Sequence, residues 1–324
     1  MQQYRDTNYA AVSAALHARE AHLLTQALSE RMLEAPTAEE SCKILIECGY
    51  PPLEHCTLEE VEKLLALSRA ELYREVAVLA PDKRIVELFR LKYDYHNAKL
   101  ALKAKLTGED VSRLVIDCGR YDASALLRGE RGMLSSRMGR AMAQAEKEAE
   151  GGDIRRAELT LDRACFEEMS ELAGATGNDF LIGYVALQID AIDLRTLVRA
   201  QRMGASDELL SAALLPGGHI PAEQLKTARG DRLAELTRGS ALSAAGELAA
   251  SLTSGSLTAF ERACDDALVR YLQRARRTPF GPEVIVGYLS AKEAEFTAVR
   301  TILSGKLAGL DAEDIRARLR LSYL

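Results

Sequence analysis

Apolar residues at Val12, Leu16, Leu23, Leu24, Leu28 and Met32, with charged and small residues between them, recur at close to 3.6 positions, the spacing of one amphipathic helical face. The spacing predicts a single long helix from Tyr9 to Leu33, ended by Pro36. Thr37-Ala-Glu-Glu40 then has the form of a capping box opening a short helix to Cys48. Thr57-Leu-Glu-Glu60 opens another that runs through Leu72 toward Leu79. Pro51, Pro52 and Pro81 mark the breaks, and the remaining prolines (Pro36, Pro216, Pro221, Pro279, Pro282) also fall at junctions. No alternating run is paired with an Asn-Gly or Asp-Gly hairpin turn, so the pattern predicts an all-α fold.

The pattern also repeats. Asp94-YHNAKLALKAKLT-Gly108, Asp190-AIDLRTLVRAQRM-Gly204 and Glu295-FTAVRTILSGKLA-Gly309 align without gaps. Each holds an acid, a base five residues later (Lys99, Arg195, Arg300) and a glycine fourteen after the acid. The acids lie 96 and 105 residues apart (190 − 94 and 295 − 190), far longer than the 20 to 50 residues of solenoid repeats. Leu161-Asp-Arg-Ala-Cys165 and Phe260-Glu-Arg-Ala-Cys264 form a second echo upstream of the later acids, and nothing before Asp94 matches it well. Asp110, Asp207 and Asp311 follow the terminal glycines, and Gly119 and Gly218 lie at comparable distances beyond the first two. These features predict three copies of one helical unit, with approximate bounds 1–128, 129–226 and 227–324, the third stopping before its last helix is complete. The Arg128–Ser136 stretch reads as the linker between the first two.

Each terminal glycine sits where a helix C-cap wants positive φ, and Lys103, Lys105, Arg199, Arg202 and Lys306 crowd the preceding turns, where cations suit the helix dipole. An acid and a base five apart lie roughly 140° apart around a helix, too far to pair in the usual i,i+3 or i,i+4 manner. The acid of one repeat is therefore expected to face a base on a neighbouring unit or on a partner. The alternative is a set of solvated or locally paired surface charges.

Composition narrows the function classes. Hydrophobic residues make up 48% and aromatics 5%, with no Trp. The net charge of -6 and pI near 5.6 give no overall field for nucleic acid or anionic lipid, so any membrane contact is expected to run through a protein partner. The start of the chain lacks an apolar signal region, and the least polar stretch, 240–260, falls short of the ~20 apolar residues of a membrane span. A cytoplasmic location is expected. The six cysteines contain no CxxC pair and are expected to be reduced and partly buried, without zinc or a disulfide frame. His17 and His22, five apart, diverge on a helix and do not make a metal pair; no GxxxxGK[ST] phosphate loop occurs. No cofactor, metal or catalytic residue is expected. Arg270, Arg274, Arg276 and Arg277 precede Pro279 and read as the basic end of a helix, with a partner contact as the second reading.

Phe89-Arg-Leu-Lys-Tyr-Asp-Tyr-His-Asn-Ala-Lys99 resembles the Lys-Tyr-Asp-Tyr-His-Asn-x-Lys signature of the V/A-type ATPase C/d subunit family. The helix carrying Tyr9, Ala18-Arg19-Glu20 and Leu23-Leu24 resembles that family too, as do Ile182-Gly-Tyr184, Asp193-Leu-Arg195, Gly287-Tyr288, Lys292-Glu293-Ala-Glu295 and Arg300. The resemblance implies three similar helical domains in a pseudo-three-fold funnel, seated on the cytoplasmic face of a ring of membrane proteolipids and receiving central-stalk subunits in its socket. It implies a non-catalytic, peripheral subunit that passes torque between ATP turnover and ion transport. The residues expected to bind partners are Asp94, Asn97, Lys99, Asp190, Arg195, Glu295 and Arg300. The third repeat departs from the others, with Ala298 where Asn97 and Asp193 stand. The alternative is a generic all-helical protein-binding scaffold.

Overall fold

The computed structural model describes residues 4–252 and 257–323, and every regular element among them is a helix. In chain order these are α1 (Ala10–Glu20), α2 (Gln26–Glu34), α3 (Ala38–Ile44), α4 (Leu58–Leu79), α5 (Lys83–Thr107) and α6 (Ala123–Leu127). Then come α7 (Ser136–Glu150), α8 (Ile154–Thr176), α9 (Asp179–Met203), α10 (Asp207–Ala213) and α11 (Ala222–Thr227). The last are α12 (Asp231–Thr237), α13 (Ser243–Ser251), α14 (Thr258–Leu272), α15 (Pro282–Leu307) and α16 (Ala312–Arg318). Short 3-10 turns flank several of them. None of these helices is long and apolar enough to cross a membrane. The apolar stretch 240–260 holds α13 and the start of α14, and residues 253–256 within it lie outside the described part.

Packing divides the chain into two compact units, Asp82–Leu268 and Tyr4–Pro81 with Val269–Leu324. This is a division by contact; the three-unit reading is a division by sequence pattern, and the two cut the chain at different places.

In the unit Asp82–Leu268, α5 and α9 are buried along most of their length. Asp82 caps α5 by accepting from the Arg84 N–H, and Asn178 caps α9 by accepting from Leu181. Gly108 and Gly204 end them at φ 70° and 61°, the left-handed conformation expected of their sequence positions. α5 packs on α6, α7 and α8, and α8 packs on α9. Phe89 of α5 stacks on Tyr184 of α9 with centroids 6.0 Å apart.

In the other unit α15 is the central element. Val284, Ile285, Val286, Leu289, Phe296, Val299, Ile302 and Leu303 are all buried, because α1, α2, α3, α4 and α16 surround it. A helix buried around most of its circumference shows little amphipathicity, although Thr297 and Arg300 stay exposed. It ends at Leu307, with Gly309 at φ 72°.

Two expectations are corrected here. Tyr9–Leu33 is not one helix: α1 ends at Glu20 and α2 begins at Gln26, with Thr25 accepting from the Leu28 N–H as its cap. The break has a structural use, since it frees the Leu24 N–H to bond a side chain of α15. Cys42 and Cys56 are joined as a disulfide, while Cys48, Cys118, Cys165 and Cys264 are free and buried. The pairing brings the end of α3 to the loop before α4, a proximity that a separation of 14 positions in sequence does not advertise.

Candidate functional site

The repeated acids are buried, at 0%, 3% and 5% relative exposure for Asp94, Asp190 and Glu295. Burying a carboxylate is costly unless hydrogen bonds replace its water. Asp94 Oδ1 accepts from the backbone N–H groups of Arg120 (2.8 Å) and Tyr121 (3.2 Å), and Oδ2 accepts from Arg120 Nε (2.8 Å). Asp190 Oδ1 accepts from the Ile220 N–H (2.9 Å), and its Oδ2 lies 2.9 Å from His219 Nδ1. In both repeats the acid therefore seizes the loop that returns 26 to 30 residues later. Both loops need a glycine there: a Cβ on Gly119 would lie 2.2 Å from Asp94 Oδ1, and one on Gly218 would lie 2.3 Å from Asp190 Oδ1.

Glu295 reaches the same end by another route. Its carboxylate accepts from the Leu24 N–H (2.8 Å), from Tyr50 Oη (2.5 Å) and from Lys292. The N-terminal segment thus supplies to the third acid the backbone donor that a downstream loop supplies to the first two.

One turn after the acid stands a second polar position. Asn97 donates Nδ2 to the Ile116 carbonyl (2.8 Å) and accepts from the Ile116 N–H (3.1 Å), closing a two-way bond. Asp193 accepts from the Leu215 N–H (2.9 Å), and its carboxyl is pushed up to about 7 by burial, against the pull of that bond and helped by the nearby Asp190 charge. Burial also raises Asp94, opposed by the Arg120 guanidinium. Arg120 in turn bridges to Glu168 (3.0 Å), which accepts from Tyr95 Oη (2.8 Å).

The bases point elsewhere, as their separation around the helix requires. Lys99 of α5 pairs with Asp162 of α8 at 2.5 Å. Arg195 of α9 pairs with Asp265 of α14 and donates to the Glu261 carbonyl (3.2 Å). Arg300 of α15 makes a fork to both oxygens of Glu62 on α4, at 2.5 Å each. Each long repeat helix is thereby pinned to a helix that directly precedes another long helix: α5 to α8 (before α9), α9 to α14 (before α15), and α15 to α4 (before α5). The first and second of these contacts lie in one compact unit and the third in the other.

Asp162 and Glu261 belong to the Leu161–Cys165 and Phe260–Cys264 echo. The partner of Arg300 shows what stands in for it in the first repeat. Val61-Glu-Lys-Leu-Leu65 has the same order of apolar, acidic, basic and two apolar positions, with Val61 at 0%, Leu161 at 1% and Phe260 at 1% exposure. The segment lacks Arg-Ala-Cys but keeps the residue class of each position and the burial of the first.

Of the seven residues expected to bind partners, Asp94, Asn97, Asp190 and Glu295 are buried with hydrogen-bond partners inside their own unit. Lys99, Arg195 and Arg300 retain 31%, 18% and 60% side-chain exposure. The polar groups the arrangement gathers hold loops and helices in place.

An all-α chain in which long helices carry a repeated buried acid and a bridging base belongs, by sequence, to a family of known role. The profile of the ATP synthase (C/AC39) subunit family matches residues 12–318, and the chain belongs to that family, whose members are structural, non-catalytic subunits of rotary ATPases. Among its relatives is the C subunit of the V-type sodium ATPase of Enterococcus hirae, 23% identical across 97% of this chain and 99% of that one. The C subunit of the A-type ATP synthase of Methanocaldococcus jannaschii is 27% identical across 96% and 86%. The C subunit of the V-type ATP synthase of Thermus thermophilus is 25% identical across 93% and 94%.

Proposed function

We propose that the chain is the rotor adaptor of a V/A-type rotary ATPase, a peripheral protein on the cytoplasmic face that joins the proteolipid ring to the central stalk and passes torque between them. The observation that carries this reading is the cyclic order of the three bridges. Lys99 and Arg195 each join a long helix to the helix that precedes the next long helix, and Arg300 joins the last long helix to the helix that precedes the first. Such an order is what three like domains around a pseudo-three-fold axis would produce. Each long helix spans roughly 35 to 40 Å at about 1.5 Å per residue, deep enough to receive a helical plug.

On this reading the four buried polar residues, Asp94, Asn97, Asp190 and Glu295, serve partners indirectly by fixing the walls of a socket. Lys99, Arg195 and Arg300 keep adjacent walls from sliding. A stalk that enters as one asymmetric element would meet different residues on each repeat.

The test is recovery of the tagged protein from its native membranes after mild detergent extraction, with mass spectrometry of what accompanies it. Proteolipid and central-stalk subunits are expected. A variant carrying Lys99→Glu, Arg195→Glu and Arg300→Glu, with helical signal retained, should recover fewer stalk subunits. Absence of both classes from the unaltered protein would refute the adaptor role; unchanged recovery with the variant would refute the part assigned to the bridges.

A further inference from the structure

Between Asp266 and Glu283 the chain carries Arg270, Arg274, Arg276 and Arg277 and no acid. α14 tightens after Leu272 into a 3-10 turn over Gln273–Arg277. Ala275 turns inward at 1% exposure, while Arg274, Arg276 and Arg277 are exposed. The Arg274 guanidinium lies over the Tyr271 ring at 5.0 Å. Gln273 Nε2 donates to the carbonyls of Ser322 (3.1 Å) and Tyr323 (3.3 Å), so the last described segment, with Arg318 and Arg320, is tied to the same turn.

Helix-end electrostatics accounts for a cation or two in a last turn, but not for this many. Among the described residues no side-chain hydrogen bond or ion pair involves Arg276 or Arg277, unlike most arginines of the chain. Tyr323, in the segment tied to this turn, lies within electrostatic reach of both Arg276 and Glu20, and Glu20 is itself 2.9 Å from His17. Phe280, just beyond Pro279, leaves 39% of its surface exposed.

We propose that this arginine turn, with Phe280 at its edge, is a docking surface for anionic phospholipid headgroups. Guanidinium groups pair with phosphate through two parallel hydrogen bonds. An exposed aromatic residue three positions beyond Arg277 suits the headgroup boundary, where the ring meets apolar chains and the cations stay with the phosphates. An acidic protein segment would satisfy the arginines and leave the exposed ring unexplained. The net charge of -6 does not oppose the contact, because at physiological salt charges more than about 8 Å away are largely screened. The expectation that membrane contact runs through a protein partner rested on that average; the local field has the opposite sign.

The experiment is co-sedimentation of the purified full-length chain with phosphatidylserine/phosphatidylcholine vesicles, against phosphatidylcholine alone. Binding is expected to the anionic vesicles and to fall with added salt. Arg276→Gln with Arg277→Gln should weaken it about thirtyfold, at about fivefold per basic residue near an anionic surface. Phe280→Ser should weaken it at unchanged charge. Arg113→Gln with Arg238→Gln, the same charge change at exposed positions elsewhere, should leave it within about twofold if the patch and not total charge is read. No binding to anionic vesicles, or equal loss in both double variants, would overturn the proposal. Capture by polyglutamate without vesicle binding would overturn it in favour of an acidic protein partner. None of these outcomes touches the adaptor role, which has its own test.

Discussion

Asp193 occupies the place that Asn97 holds in the first repeat, and the exchange of an amide for a carboxyl puts a titrating group in a buried site. Asn97 both gives and accepts a backbone bond, whereas ionised Asp193 can only accept from Leu215. Its folded value of about 7 stands above the ordinary 3.8, so the folded protein holds a proton that the unfolded chain releases. The contribution to stability is therefore full below about pH 4, declines as pH rises toward 7, and is flat above that, with a total loss of up to a few kcal/mol. Asp193→Asn should abolish this slope and raise the melting temperature at pH 8 more than at pH 5; equal shifts at both would show that Asp193 does not titrate as described. Steric demands around the acids are equally specific. Gly119→Ala and Gly218→Ala each press a methyl against a buried carboxylate oxygen and should cost roughly 2 to 4 kcal/mol in urea unfolding. Gly132→Ala, with open space around it, should change stability by no more than about 0.5 kcal/mol. The aligned acids and the two glycines were legible in sequence, but their contact was not. A charged residue on a helix is ordinarily exposed, and capture by a loop more than twenty residues away leaves no local pattern.

At the scale of helices, the three bridges repeat in connection but not in strength. Arg195 and Asp265 are 18% and 31% exposed, while Arg300 and Glu62 are 60% and 37% exposed. Solvent screening keeps an exposed pair below about 1 kcal/mol even in a forked geometry, and a sheltered one exceeds that. A double-mutant cycle on Arg300→Ala and Glu62→Ala should return a coupling under about 1 kcal/mol that shrinks in salt. The cycle on Arg195→Ala and Asp265→Ala should return a larger one that salt alters less; the reverse order would contradict the packing. Helix ends were the best-read feature: Thr37, Thr57, Gly108 and Gly204 cap as their residue types require. The N-terminal helix was misread because Leu23 and Leu24 continue the apolar period through a break that tertiary contact imposes. The Leu24 N–H is worth more to the buried Glu295 than to another helical turn. Glu62 carries no sequence signal of its role, since its segment keeps residue class and drops residue identity.

At the scale of the whole molecule, a non-catalytic subunit takes part in a rotary ATPase through its contacts alone. In the proposed adaptor, torque arrives at one partner and leaves at another, and every bridge between repeat helices bears part of the shear. Packing of apolar side chains resists compression well but is non-directional, so sliding along a helix face is opposed chiefly by groups with fixed geometry. Arg195 is placed for this, since one guanidinium holds both a side chain and a backbone carbonyl of α14. Arg195→Glu should set two like charges together and loosen that wall without removing any group that touches nucleotide. In the assembled complex the expected outcome is ATP hydrolysis at close to its normal rate with ion transport reduced several-fold, measured side by side in proteoliposomes. Adding Asp265→Arg restores an opposed pair in reverse orientation and should recover part of the transport. A parallel fall in hydrolysis and transport would mean lost assembly, and full transport with Arg195→Glu would mean that this bridge carries no load.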